Sequence, residues 1–75
     1  MTKHCDELVR LGKAIRELRT SRSFSEEALA KKAGLTKARL NGIETGEAEA
    51  NVLELAKVAK ALGVTTEELV ASAGL

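Results

Sequence analysis

Leu8, Leu11, Ile15 and Leu18 recur at spacings of three, four and three, which lays one apolar stripe along a helix over about residues 5–21. The opposite face sends Arg10, Lys13, Arg16 and Glu17 to solvent, and Lys13 and Glu17 stand four residues apart, where an ion pair contributes roughly 0.2–0.5 kcal/mol. Thr20 to Phe24 breaks the period. Ser25 is then placed as an N-cap ahead of Glu26 and Glu27, whose carboxylates favour the positive end of a helix dipole, and Gly34 stops this short second helix after about Ala33. Thr36 caps a third helix from Lys37 to about Glu44, with Leu40 and Ile43 inward and Gly46 as its left-handed terminator. Two turns do not persist alone in water, so this helix depends on packing. After the polar stretch Gly46 to Asn51, the residues Val52, Leu55, Ala56, Ala59 and Leu62 repeat at helical spacing until Gly63. Thr65 precedes Glu68 by three residues, a capping-box pattern that predicts a fifth helix over about 66–72 with Leu69 and Val70 as its apolar positions. The pattern predicts an all-α fold, a compact five-helix domain with short connections.

Composition agrees with helices and removes other architectures. The chain has 75 residues, 44% of them apolar, yet Phe24 is the one aromatic and proline is absent, so the core is expected to be Leu, Ile, Val and Ala. A β-sandwich or β-barrel does not fit this content, and the length leaves room for one domain, residues 1–75. No linker-like run follows the fifth helix, which favours a complete small protein. One cysteine (Cys5), one histidine (His4) and no tyrosine or tryptophan exclude an internal disulfide, a Cys/His zinc site and an aromatic platform for single-stranded bases. Enzymatic activity has no support, because His4 stands at a terminus expected to fray and the Glu26–Glu27 pair belongs to a helix start. No catalytic residue, metal or cofactor is expected. The longest uncharged run, Leu69 to Leu75, is far short of the roughly 18 residues a bilayer requires, and the N-terminus lacks an apolar signal core. A soluble cytoplasmic protein with Cys5 as a reduced surface thiol is the expectation, with no membrane partner.

The net charge of +1 conceals an asymmetry: residues 1–46 hold ten basic and six acidic side chains, and residues 47–75 hold two and five. A moderately basic N-terminal half permits a nucleic-acid surface without requiring one. The informative stretch runs from about 26 to 45. Ala30 is small enough for one helix to lie close across another, Gly34 suits a tight turn between helices, and Leu40 and Ile43 bury the inner face of the third helix while leaving its outer face free. Each position has a steric reason in a helix-turn-helix.

The sequence resembles the phage repressor and Cro-like, or XRE-type, helix-turn-helix family. The resemblance spans Leu11 to about Val70. It rests on the blocks from Leu11 to Arg19, Ser25 to Ala30, Gly34 to Thr36, Leu40 to Gly46 and Leu55 to Val64. It implies a five-helix domain whose third helix reads double-stranded DNA, as a homodimer on a two-fold related operator. It also implies an ion pair between Arg19 and Glu44. The positions matching the family's base-contacting face are Lys37, Ala38 and Gly42, and those along the sugar-phosphate backbone are Ser25, Glu26, Arg39, Asn41 and Thr45. Lys37 suits guanine O6/N7 and Ala38 a thymine methyl, whereas Gly42 offers nothing to a base edge. Leu69, Val70 and Leu75 are the candidate dimer interface, with Leu69 equally suited to packing on its own first helix.

Three features depart from the family pattern. Glu26 replaces a more usual glutamine at a helix start that faces a phosphate, and Glu47 and Glu49 replace basic residues after the third helix. Carboxylates there repel phosphates, the main source of nonspecific affinity. Two readings follow: a sequence-specific transcriptional regulator, or a protein-interaction module on the same fold, such as an antirepressor or regulator subunit that works through a regulatory protein partner.

Overall fold

In the computed structural model, which describes residues 4–75, the order of elements is α1 (His4–Ser21), α2 (Glu26–Ala33), α3 (Lys37–Thr45), α4 (Val52–Leu62) and α5 (Thr66–Ser72). The side chains of His4 and Cys5, and with them the expected surface thiol, lie outside the described residues.

Local chemistry sets most of the helix ends. Ser25, Thr36, Asn51 and Thr65 are all extended at the N-cap, and their side-chain oxygens accept the N–H of Ala28, Arg39, Glu54 and Glu68. Thr65 and Glu68 complete the expected reciprocal capping box, and Asn51 and Glu54 form a second one. Gly46 ends α3 at φ 84°, a conformation that disfavours any side chain, and a Cβ there would also sit 2.7 Å from Val9 Cγ2.

Helix α1 packs across α3, α2 packs across α4, and α5 closes the bundle against α1 and α4. Between them Ile15, Leu29, Leu40, Val58, Leu62 and Leu69 are fully buried, with Ile43 beside them. Helices α1 and α3 approach closely at Gly12 in α1, where a Cβ would collide with the backbone oxygens of Ile43 and Glu44. That contact fixes how far α3 is held from the body of the molecule.

Two expectations change. The apolar stripe of α4 is rotated from the one predicted: Val52 is 81% exposed and Ala56 is exposed, while Val58 is fully buried. Positions 56 and 58 are separated by about 200° around a helix, so both cannot face inward, and the larger side chain takes the interior against α2. On α1, Lys13 and Glu17 form no ion pair among the described residues; Arg10 and Asp6 do, at 3.6 Å and well exposed.

Candidate nucleic-acid interface

The inner side of α3 is held by Leu40 and Ile43, so Lys37, Ala38, Asn41 and Thr45 share the outer side and are exposed. Beside them lies the start of α2. An open groove between the two helices is lined by Arg16, Arg19, Ser25, Glu26, Lys37 and Asn41. Ser25 spends its hydroxyl oxygen on the Ala28 N–H, and Thr45 Oγ1 donates to the Gly42 carbonyl at 3.2 Å.

Asn41 Nδ2 donates to Glu26 Oε2 at 3.0 Å across the groove. This hydrogen bond, reinforced by the positive charges of Arg19 and Lys37, holds the Glu26 carboxyl below the usual carboxylate range. Glu26 is therefore ionised where the resemblance places a phosphate, and one of the two Asn41 amide N–H groups is already engaged.

Arg19 and Glu44 form the support beneath this surface. Arg19 Nε donates to Glu44 Oε2 at 2.8 Å and Nη2 to Oε1 at 3.1 Å, while Nη1 donates to the Phe24 carbonyl at 3.0 Å. The Glu44 side chain is completely buried, and the half-exposed Arg16 brings its Nε to 3.8 Å from Oε1, the oxygen that also accepts from Arg19 Nη2. The Glu44 hydrogen bonds raise the Arg19 pKa against the opposing cost of burial. The end of α1, the turn into α2 and the end of α3 are thereby tied at one point.

Arg39, expected along the phosphate backbone, is engaged by its own chain. Its Nε and Nη2 donate to Glu54 Oε2 and Oε1 at 2.9 and 2.7 Å, and Nη2 also donates to the Glu49 carbonyl at 2.9 Å. Glu54 Oε1 also accepts the Asn51 N–H, and these two donors, Arg39 foremost, push the Glu54 carboxyl down to about 2. The guanidinium assigned to phosphate is occupied by a carboxylate of its own chain. It clasps the acidic loop 47–51 to the flank of α3. The partners are fifteen residues apart in sequence, beyond the reach of any local pattern.

Gly42 is likewise not turned to the groove. A Cβ on it would lie 3.2 Å from Ala48 Cβ, and its carbonyl accepts the N–H groups of Glu47 and Ala48 at 2.9 and 3.0 Å. The absent side chain makes a seat for the loop, so the expected base-contact position is a loop support. Of the three residues expected at a dimer interface, Leu69 is fully buried in the chain's own core and is removed from that set; Val70 is half-buried and Leu75 is 50% exposed. Gly12, which sets the α1–α3 distance, carried no sequence signal beyond a glycine in a helix interior.

Among the described residues no group of three acidic, histidine or cysteine side chains is placed to hold a metal ion, and no helix is long and apolar enough to cross a membrane. The helix-turn-helix family model HTH_3 matches residues 15–69. Among solved structures, the chain is similar to the restriction-modification controller protein C.AhdI from Aeromonas hydrophila, with 37% identity and a TM-score of 0.81 over 83% of this chain and 94% of that one. It is also similar to the clp gene regulator ClgR from C. glutamicum, with 26% identity and a TM-score of 0.87 over 91% and 87%. An HTH_3 family transcriptional regulator from Vibrio cholerae shares 29% identity at a TM-score of 0.84, covering 92% of this chain and 39% of that one. No curated protein gives a significant match.

Proposed function

The chain belongs to the HTH_3 helix-turn-helix family, and from that premise we propose that it is a transcriptional regulator that binds double-stranded DNA sequence-specifically through the outer face of α3. The observation that carries this reading is the exposed set Lys37, Ala38, Asn41 and Thr45 on a helix whose inner face is anchored by Leu40, Ile43 and the Arg19–Glu44 pair. A helix held in this way presents its first residues to a major groove, where Lys37 donates to guanine and Ala38 packs on a thymine methyl. Ser25, Asn41 and Thr45 are the polar groups available to the flanking backbone.

The electrostatic background is weak. Each of Glu26, Glu47 and Glu49 costs on the order of 1 kcal/mol when held several ångströms from a phosphate. Affinity then depends on base contacts more than in a strongly basic regulator. One two-turn recognition helix reads few base pairs, so we assign function to a homodimer on two half-sites, with Val70 and Leu75 as the apolar contributions of α5 and the chain's end.

Fluorescence anisotropy of a labelled duplex, titrated with protein over a range of salt, tests the reading. Binding that weakens with salt and is lost in Lys37→Ala is expected. The second reading, a protein-interaction module, is favoured by one observation: Arg39, a cation on α3, is engaged by Glu54. An absence of duplex binding at low salt would select that reading over DNA recognition.

A further inference from the structure

The DNA-reading proposal uses the N-terminal end of α2 and leaves unused a cluster of lysines at the other end. Lys31 and Lys32 close α2, Lys57 and Lys60 stand on the facing side of α4, and the four edge one open groove. Its floor is apolar, made by Ala33 and Ala61, both buried. All four lysines are exposed, and none takes part in an ion pair among the described residues. Lys32 Nζ lies 5.2 Å from the Phe24 ring centroid, so that ammonium has an aromatic neighbour but no counter-charge. In a chain whose net charge is +1, four cations on one groove are a strong local excess, with Lys57 alone also acting, at longer range, on the Glu54 carboxylate of its own helix.

Position separates this groove from the proposed DNA face. An eight-residue helix is about 12 Å long, and Ser25 and Glu26 stand at one end of α2 while Lys31, Lys32 and Gly34 stand at the other. The lysines of α4 extend the patch along that helix, not along α3.

We infer that the groove between the C-terminal end of α2 and α4 is a docking surface for an acidic segment of a protein partner. Carboxylates of the segment meet the lysine rim, and a small aliphatic side chain packs on Ala33 and Ala61. A recessed apolar floor between two rows of cations suits an acidic, partly apolar peptide better than a duplex, whose phosphates gain nothing from alanine methyls. Rim charges of this kind mainly raise the rate of encounter and make the complex salt-sensitive, so the interaction is a weak and reversible one.

A two-dimensional NMR titration of the whole chain with a short synthetic peptide alternating glutamate and leucine tests this. A peptide with serine in place of glutamate and a nonspecific DNA duplex serve as the comparisons. Amide shifts should concentrate at residues 31–34 and 57–61, weaken with salt, and be absent with the serine peptide. The double substitution Lys57→Gln and Lys60→Gln should raise the peptide Kd about tenfold, equivalent to about 1.4 kcal/mol, while leaving duplex affinity at the α3 face unchanged. Both side chains are exposed and unpaired, so the variant folds. Equal binding of the serine peptide, shifts centred on Lys37 and Asn41, or no binding at low salt would overturn the proposal. Displacement of the peptide by the nonspecific duplex at residues 57–61 would also overturn it and make the groove a nucleic-acid surface.

Discussion

Gly12 and Gly42 are both glycines inside helices, and their surroundings predict opposite outcomes for the same substitution. A methyl group at Gly12 has no space, because it meets the backbone oxygens of Ile43 and Glu44, which cannot rotate away as a side chain would. Gly12→Ala should therefore force α3 outward and cost about 3 kcal/mol, read as a lower denaturant midpoint with an unchanged slope. At Gly42 the neighbour is a single side-chain methyl, that of Ala48 at 3.2 Å, and a shift of a few tenths of an ångström relieves the contact. The gain in helix propensity, up to about 1 kcal/mol, offsets that crowding, so Gly42→Ala should leave the midpoint nearly unchanged. A third residue-scale test is Arg19→Ala. It strands the buried Glu44 carboxylate and should cost about 3–5 kcal/mol in the same unfolding experiment. A loss below 1 kcal/mol would mean that Arg16, at 3.8 Å from Glu44, takes over the pairing.

Helix ends were legible in the sequence because capping is local: Ser25, Thr36 and the Thr65–Glu68 box needed only neighbours within three residues. The rotation of α4 was not, since Val52, Ala56 and Val58 compete for the interior and only the packing against α2 decides between them. The same division runs through the candidate site. The outward direction of Lys37, Ala38, Asn41 and Thr45 follows from Leu40 and Ile43 being inward, which periodicity gives. The fates of Arg39 and Gly42 depend on a loop that returns beside α3, and nothing in their immediate sequence announces it.

That loop clasp has its own pH signature at the scale of the element. The Glu54 carboxyl lies at about 2, below the value of 4.5 for a free glutamate, so its contribution to the folded state is complete above about pH 4.5 and is lost as pH falls through about 2. An NMR titration of the Glu54 side-chain carboxyl should give a midpoint near 2, moving upward in Arg39→Ala. Glu54→Gln keeps an oxygen for the Asn51 N–H and removes the charge that holds Arg39. If DNA approaches the flank of α3 as proposed, the freed guanidinium reaches a phosphate and steepens the logarithmic salt dependence of binding by about one. An unchanged slope would mean that Arg39 has no phosphate within reach.

Across the whole molecule, charge is sorted by surface. The groove beside α3 mixes Arg16, Arg19 and Lys37 with Glu26, the loop after α3 is acidic, and the unpaired lysines gather where α2 and α4 meet. On the α3 face this mixture gives little indiscriminate attraction for DNA, and the proposed recognition must come from contacts that depend on base identity. Among the described residues the large exposed apolar side chains are Val9, Val52, Leu53 and Leu75, and of the two residues proposed for self-association, Val70 is half-buried and Leu75 is half-exposed. Sedimentation at tens of micromolar should give a dimer that Val70→Asp with Leu75→Asp converts to the 8.0 kDa monomer. A monomer that DNA does not pair would contradict the two-half-site account.

The central claim, that the outer face of α3 reads DNA sequence, is tested most directly by selection from a random double-stranded pool at low salt, with sequencing of the bound fraction for the parent chain and for Lys37→Ala. The account predicts enrichment of a two-fold symmetric motif by the parent, with half-sites one helical turn apart, and loss of that motif in the variant. No enrichment by a folded parent chain, or an identical motif from Lys37→Ala, would contradict it.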